Sequence, residues 1–117
     1  MPLTIKNKYG TISIENEVVA RIAGMAAMDC YGIVGMAAKN IKDGLVQLLK
    51  MESLTKGVHL SINNDSIIID LHIIVEYGTN ISAIADSIVS TVKYRVEENI
   101  GLPVAKVNIF IEDVRVE

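Results

Sequence analysis

The chain has 117 residues, half of them hydrophobic, which fits one domain able to build a core without disulfide or metal staples. A single cysteine, Cys30, excludes an intramolecular disulfide, and a net charge of −3 argues against a general nucleic-acid binder, which relies on clustered cations. The opening MPLTIKNKYG lacks a secretory pattern, and Ile67 to Val75, the most apolar stretch, is interrupted by Asp70 and His72 and cannot span a bilayer, so a cytoplasmic protein is expected.

The charge is uneven. Residues 1–58 carry seven Lys/Arg against five Asp/Glu, whereas residues 59–117 carry four against nine. No linker, low-complexity tract or internal repeat divides the chain.

The first extended segment is predicted near Thr11–Ile14, after the turn signal of Gly10, with Ile12 and Ile14 on one face. Leu3 and Ile5 suggest that it, or a preceding strand, begins earlier. Asn16 is a helix N-cap candidate and Glu17 a favourable first-turn carboxylate. Val19, Ile22, Ala26 and Cys30 then recur at helical spacing, with Val18 and Met25 widening the stripe and Gly32 placed as a C-terminal glycine. Gly24 inside this helix costs about 0.8–1 kcal/mol relative to alanine. The surrounding alanines predict close packing on a neighbour as compensation.

A second, shorter helix is expected from Ile41 to Leu49, capped by Asn40, with Gly44 inside it. After Gly57 the period changes to two. Val58, Leu60 and Ile62 alternate with His59 and Ser61. Past Asn63-Asn64-Asp65, Ile67, Ile69, Leu71, Ile73, Val75 and Tyr77 share one face and Ser66, Ile68, Asp70, His72, Ile74 and Glu76 the other. A two-residue loop at Asn64-Asp65 would pair Val58 with Leu71 and His59 with Asp70. Thr79-Asn80 opens a long helix with the stripe Ile81, Ile84, Ile88, Val92, Val96 and Ile100, ended by Gly101 and Pro103. In the last strand Ala105, Val107, Ile109 and Ile111 are expected inward, and Lys106, Asn108, Phe110 and Glu112 outward. A bulge or frayed end would explain the phase slip at Glu112-Asp113. The order β-α-(α)-β-β-α-β predicts an α+β, two-layer domain, with helices packed on one face of a small mixed or antiparallel sheet.

Candidate chemistry is sparse. His59, Asp70 and His72 on the hairpin's outer face, with Glu76 further along, offer two imidazoles and carboxylates for a metal. The default for such a row is a solvated face with a cross-strand His–Asp pair. Cys30, beside Asp29 at the C-terminal end of an apolar helix, reads as a small core hydrophobe rather than an activated thiol. Gly24, Gly32 and Gly35 follow a helix instead of joining a strand to a helix N-terminus, so they do not cradle phosphate. Ser82, Ser87 and Ser90 read as helix-surface residues. The element order also describes RNA-recognition domains, but one phenylalanine, no tryptophan and an acidic balance make a poor base-stacking platform. What remains is surface. Lys39, Lys42, Lys50 and Lys56 outnumber Asp43 and Glu52 around the short helix and would suit an acidic partner or anionic membrane. Ile68, Ile74 and Phe110 form a second candidate patch on the outer sheet face.

Three stretches carry a family resemblance: GTISIENEVVARIAGMAAMDCYGIVGMA (residues 10–37), IIIDLHIIVEYGTNISAIA (67–85) and VEENIGLPVAKVNIFIEDV (96–114). Together the sequence resembles the alkaline shock protein family of Gram-positive bacteria, the Gls-type general stress proteins. Gly24, Tyr31, Gly32, Gly35, Gly78 and Gly101 match motif positions and are read as structural. Asn16 and Ser82 stand where many members have proline or another helix-starting residue. The resemblance implies a non-enzymatic protein of envelope homeostasis and alkaline or general stress, with no cofactor and no catalytic residues to carry over. It implies protein partners: an integral membrane anchor protein, or a fatty-acid or dihydroxyacetone-type kinase of which the chain would be an accessory subunit. Self-association is also expected.

Overall fold

The computed structural model describes residues 3–39, 46–49, 51–63 and 66–116. In chain order the elements are β1 (Leu3–Asn7), β2 (Gly10–Ile14), α1 (Asn16–Met28), β3 (Ile33–Lys39), β4 (Val46–Leu48), a 3-10 segment (Met51–Gly57), β5 (Val58–Asn63), β6 (Ser66–Glu76), α2 (Ile81–Ile100) and β7 (Val104–Arg115).

β6 organises the molecule as an eleven-residue strand whose burial alternates as far as Ile73. β7 lies parallel to it from Ile67 to Glu76 and so occupies one edge along almost its full length. β5 and β3, both antiparallel to β6, share the opposite edge in succession, β5 beside residues 66–71 and β3 beside 73–75. β4 extends the sheet beyond β3. The result is a mixed five-stranded sheet with both helices on one face, and α1 and α2 packed against each other. Gly57 sits where β3 gives way to β5. A Cβ there would stand 2.9 Å from the carbonyl oxygen of Ala37 and 3.2 Å from that of His72, so the junction closes only around a glycine.

The core is aliphatic. Ile67, Ile69, Leu71, Ile73 and Val75 of β6 meet Val19, Ala23 and Ala27 of α1 and Ile84, Ile88, Val92 and Val96 of α2, all fully or almost fully buried. The β5–β6 register is the expected one, with Val58 opposite Leu71 and His59 opposite Asp70. The joining residues 64 and 65 lie outside the described ones. α2 is capped as expected. Asn80 Oδ1 accepts from the Ala83 amide at 3.1 Å, and Gly101 closes the helix in the left-handed region at φ 84°. Gly24 is compensated as expected, since a Cβ there would come within 2.5 Å of Leu54 Cδ1.

Several expectations are corrected. The helix expected over Ile41–Leu49 is a strand where it is described. Val46–Leu48 pairs with β3, Ala37 opposite Leu48 and Lys39 opposite Val46, and residues 40–45 lie outside the described ones. Gly44 had already weakened the helical pattern, and ladder hydrogen bonds to β3 decide against it. β3 itself was not foreseen, because Gly35, Ala37 and Ala38 are poor strand formers. Asn16 is the first helical residue rather than the cap. Glu15 is the N-cap, with no side-chain cap bond. In α1 the buried face holds Val19, Ala20, Ala23, Gly24, Ala26 and Ala27, while Val18 and Met25 are exposed. Small residues were chosen because Leu54 presses so close. Ile81, in the first turn of α2, is likewise exposed. In β7 the slip at Glu112 is a bulge, as one alternative held, and a second bulge at Ala105 turns Val104 inward and Ala105 out. Finally, β1 and β2 form a separate two-stranded hairpin, with Leu3 opposite Ile14 and Ile5 opposite Ile12, which packs chiefly on itself.

Candidate interaction surface

β6 and its neighbours bring the expected outer-face residues together. His59 on β5 and His72 on β6 meet edge to face with ring centroids 5.1 Å apart. On the far side His72 stacks on Phe110 of β7 at 4.9 Å, because the parallel register sets these two residues opposite each other. His72 Nδ1 lies 3.6 Å from Glu112 Oε1, a pair that is ionic only when the imidazole is protonated. Asp70, which faces both His59 and Asn108 in the ladder, accepts from Asn108 Nδ2 at 2.8 Å. The His59–Asp70 register thus holds, but the polar contacts run to β7. Among the described residues no group of three or more His, Cys, Asp and Glu is placed to hold a metal ion. Glu76 is exposed at the far end of β6.

The apolar patch expected from Ile68, Ile74 and Phe110 is not one surface. Ile74 is fully buried, as is Ala37, and both stand apart from the helix-side core. Ile74 lies between Gly35 of β3 and Asp113 of β7, where β6 has strands on both edges. Ile68 is half-buried and Phe110 exposed. Of the proposed basic group, Lys56 is exposed at the end of the 3-10 segment. Lys42, Asp43 and Lys50, and the side chains of Lys39 and Glu52, lie outside the described residues. Cys30 is half-buried, with Sγ 3.6 Å from the Ala26 carbonyl oxygen and packed against the core. Ser82, Ser87 and Ser90 are on the exposed side of α2.

The more telling pattern was not anticipated. All five aromatic residues are on the surface: Tyr9 is 87 % exposed, Tyr31 85 %, Tyr77 70 %, Tyr94 66 % and Phe110 44 %. Exposed aromatic surface is costly in water and is typical of contact surfaces between proteins. Two of the tyrosines flank the β3–β6 ladder. Ile33 is opposite Val75, and the Glu76 amide donates to the Gly32 carbonyl at 3.0 Å. The Tyr77 amide donates to the Arg115 carbonyl at 2.9 Å. Tyr31 thus lies just before β3 and Tyr77 just after β6, and Val116, just after β7, is exposed as well. Each of the two tyrosines precedes a glycine in the left-handed region, Gly32 at φ 88° and Gly78 at φ 89°, so each belongs to a tight turn. The dipeptide Tyr-Gly occurs at 9, 31 and 77. That was the available signal, since a turn lies on the surface and carries its neighbour there.

The tie between helices is also at the surface. Arg95 of α2 pairs through Nη1 with Asp29, the C-cap of α1, and this carboxylate holds the guanidinium above its ordinary range. The Tyr94 phenol is raised by its hydrogen bond to Glu98 and by the charge of that carboxylate.

A model of the alkaline shock protein 23 family, described by its cell envelope-related function, matches residues 4–116. The chain is 51 % identical over 117 residues to the protein YloU of Bacillus subtilis, covering 99 % of this chain and 98 % of that one. It is 33 % identical over 117 residues to the protein Spy1614 of Streptococcus pyogenes, covering 99 % and 97 %. It is also similar to a stress response regulator gls24 homolog of Streptococcus pyogenes, 30 % identical over 109 residues, covering 91 % of this chain and 59 % of that relative. No solved structure matches.

Proposed function

The chain belongs to the alkaline shock protein 23 family, one of cell envelope-related function, and on that premise we propose that it is a non-enzymatic adaptor or scaffold acting through protein–protein contacts in envelope homeostasis and stress response. The observation that carries this reading is the placement of every aromatic side chain on the surface over a core built from aliphatic residues and methionine. Binding hot spots are rich in tyrosine because it buries a large, rigid area with few torsions to fix. The exposed Tyr31 and Tyr77 are the part of that surface proposed to meet a partner.

No described helix is long and apolar enough to cross a membrane. A place at the inner membrane surface would therefore come through a partner. Capture of the tagged chain from its native cells after mild crosslinking, with partners identified by mass spectrometry, tests the reading. An integral membrane protein is expected as main partner, and Tyr31→Ser with Tyr77→Ser should remove it while leaving the fold intact by circular dichroism. A soluble kinase as main partner would replace the scaffold with an accessory metabolic subunit.

A further inference from the structure

β5 ends the sheet on its side of β6, and no other described strand pairs with it. The ladder shows which of its backbone groups are left over. The Ile67 amide donates to the Pro103 carbonyl at 3.0 Å, on the β7 side, so Ile67 and its β5 partner Ile62 are not hydrogen-bonded to each other. By alternation, Leu60 and Ile62 direct their N–H and C=O groups to the open edge, whereas His59 and Ser61 bond β6. Natural sheets guard such an edge with charges, proline or bulges. β7, the other long edge, has two bulges and carries Lys106, Glu112, Asp113 and Arg115. β5 has no such guard: its sequence, VHLSIN, holds no Lys, Arg, Asp, Glu or proline, and its register with β6 is unbroken.

A groove of about 310 Å³ follows this edge. Leu60 packs toward the helix-side core and His59 lies on the opposite face against His72, so a groove that touches both lies on the open side of the strand. Its other wall is Asn16, Glu17 and Ala20 of α1. A shallow apolar depression between Val19, Leu60, Ile62 and Ile67 adjoins it. Among the described residues lining the groove, Glu17 is the one carboxylate, and no lysine or arginine is present. Its pair with Arg21 is solvent-exposed, and exposed pairs contribute little, so a cation from outside can share that carboxylate.

We propose that the β5 edge takes an extended segment of another protein by strand addition. The segment bonds the outward backbone of Leu60 and Ile62, sets an aliphatic side chain in the depression and brings a lysine or arginine to Glu17. The six residues of β5 span about 20 Å, so about six residues of the partner suffice. A second copy is the poorer occupant, because pairing β5 with β5 sets one acidic groove against another. The proposal rests on the reading that this protein works through protein contacts. It uses residues other than Tyr31 and Tyr77 and concerns the purified chain with peptides, so its failure leaves the capture experiment standing.

A random peptide library displayed on phage and panned on the purified chain tests this. Enriched peptides should be rich in valine, isoleucine and threonine, lack a central proline and carry a lysine or arginine. The most enriched peptide, synthesised, should slow hydrogen exchange at the Leu60 and Ile62 amides, read by NMR, and leave those of His59 and Ser61 unchanged. Ile62→Pro removes one outward donor, and Glu17→Lys reverses the charge of the groove. Both positions are exposed, and circular dichroism should show the fold kept. Each variant should weaken binding at least about tenfold. Panning on Glu17→Lys should select acidic peptides instead. No enriched peptide, binding that leaves the Leu60 and Ile62 amides exchanging freely, or affinity indifferent to both variants would overturn the proposal. So would protection of those amides in the chain alone that grows with its concentration, which would give the edge to a second copy.

Discussion

Gly57 and Gly24 are both crowded, but by different kinds of atom. At Gly57 an added methyl meets carbonyl oxygens of two strands, which move only with the sheet. Gly57→Ala should lower stability by about 1–3 kcal/mol, read as a shift in the urea midpoint. At Gly24 the obstacle is the far end of Leu54, and alanine regains about 0.8–1 kcal/mol of helix propensity. Gly24→Ala should therefore cost less than Gly57→Ala in the same assay. The sequence announced Gly24, because a glycine among alanines in a helical stripe needs a close neighbour. It said nothing of Gly57, whose constraint comes from Ala37 and His72. Tyr94 offers a titration at the same scale. Its bond to the Glu98 carboxylate favours the protonated phenol, so its folded pKa lies above the ordinary phenol range. The stabilisation is fully present below that range and is lost as pH rises through the raised value. Glu98→Gln should bring the phenol back toward its ordinary range, seen by phenolate absorbance.

The two helices differ at their starts. Asn80 supplies a side-chain acceptor to α2, and Asn80→Ala should cost about 1 kcal/mol in urea unfolding. α1 begins at Glu15 without such a bond, although Asn16 next to it has the better cap chemistry. Chain entry from β2 sets where the helix starts, one residue earlier than side-chain preference alone would place it. The stripe of α1 shows the same competition. Hydropathy selects Val18 and Met25 for the interior, but the buried face is the one of Val19, alanines and Gly24, where Leu54 of the 3-10 segment comes close. Val46–Leu48 is the sharpest case, since three residues acquire strand geometry by pairing with β3, itself hidden behind glycine and alanine.

At the scale of the molecule, β6 is the shared wall of everything. Ile73 is fully buried in the core that both helices share, with Met36 of β3 opposite it on one edge and Ile111 of β7 on the other. Ile73→Ala should remove about 2–5 kcal/mol, a large part of the about 5–15 kcal/mol typical of a domain, measured by equilibrium urea unfolding. The outer face is a consequence of the same arrangement. The hairpin register sets His59 beside His72, but only the parallel return of the chain through α2 brings Phe110, Asn108 and Glu112 to the other side.

By itself the sequence determined what depends on neighbours along the chain. This includes the alternation of β6 as far as Ile73, the β5–β6 register, the stripe and both caps of α2, and the two-layer α+β class. It also held the family likeness, whereas Tyr77, grouped with the buried face of β6 by periodicity, is exposed in the turn before Gly78. Only the tertiary structure decided what depends on distant contacts. Among these are which edge of β6 each strand takes, the strand at Val46–Leu48, the burial of Ile74, and the exposure of Val18 and Met25. The physical reason is that periodicity reports a residue's own preference for water or core, whereas ladder pairing and close packing are set by partners dozens of residues away, whose identity a local pattern does not contain.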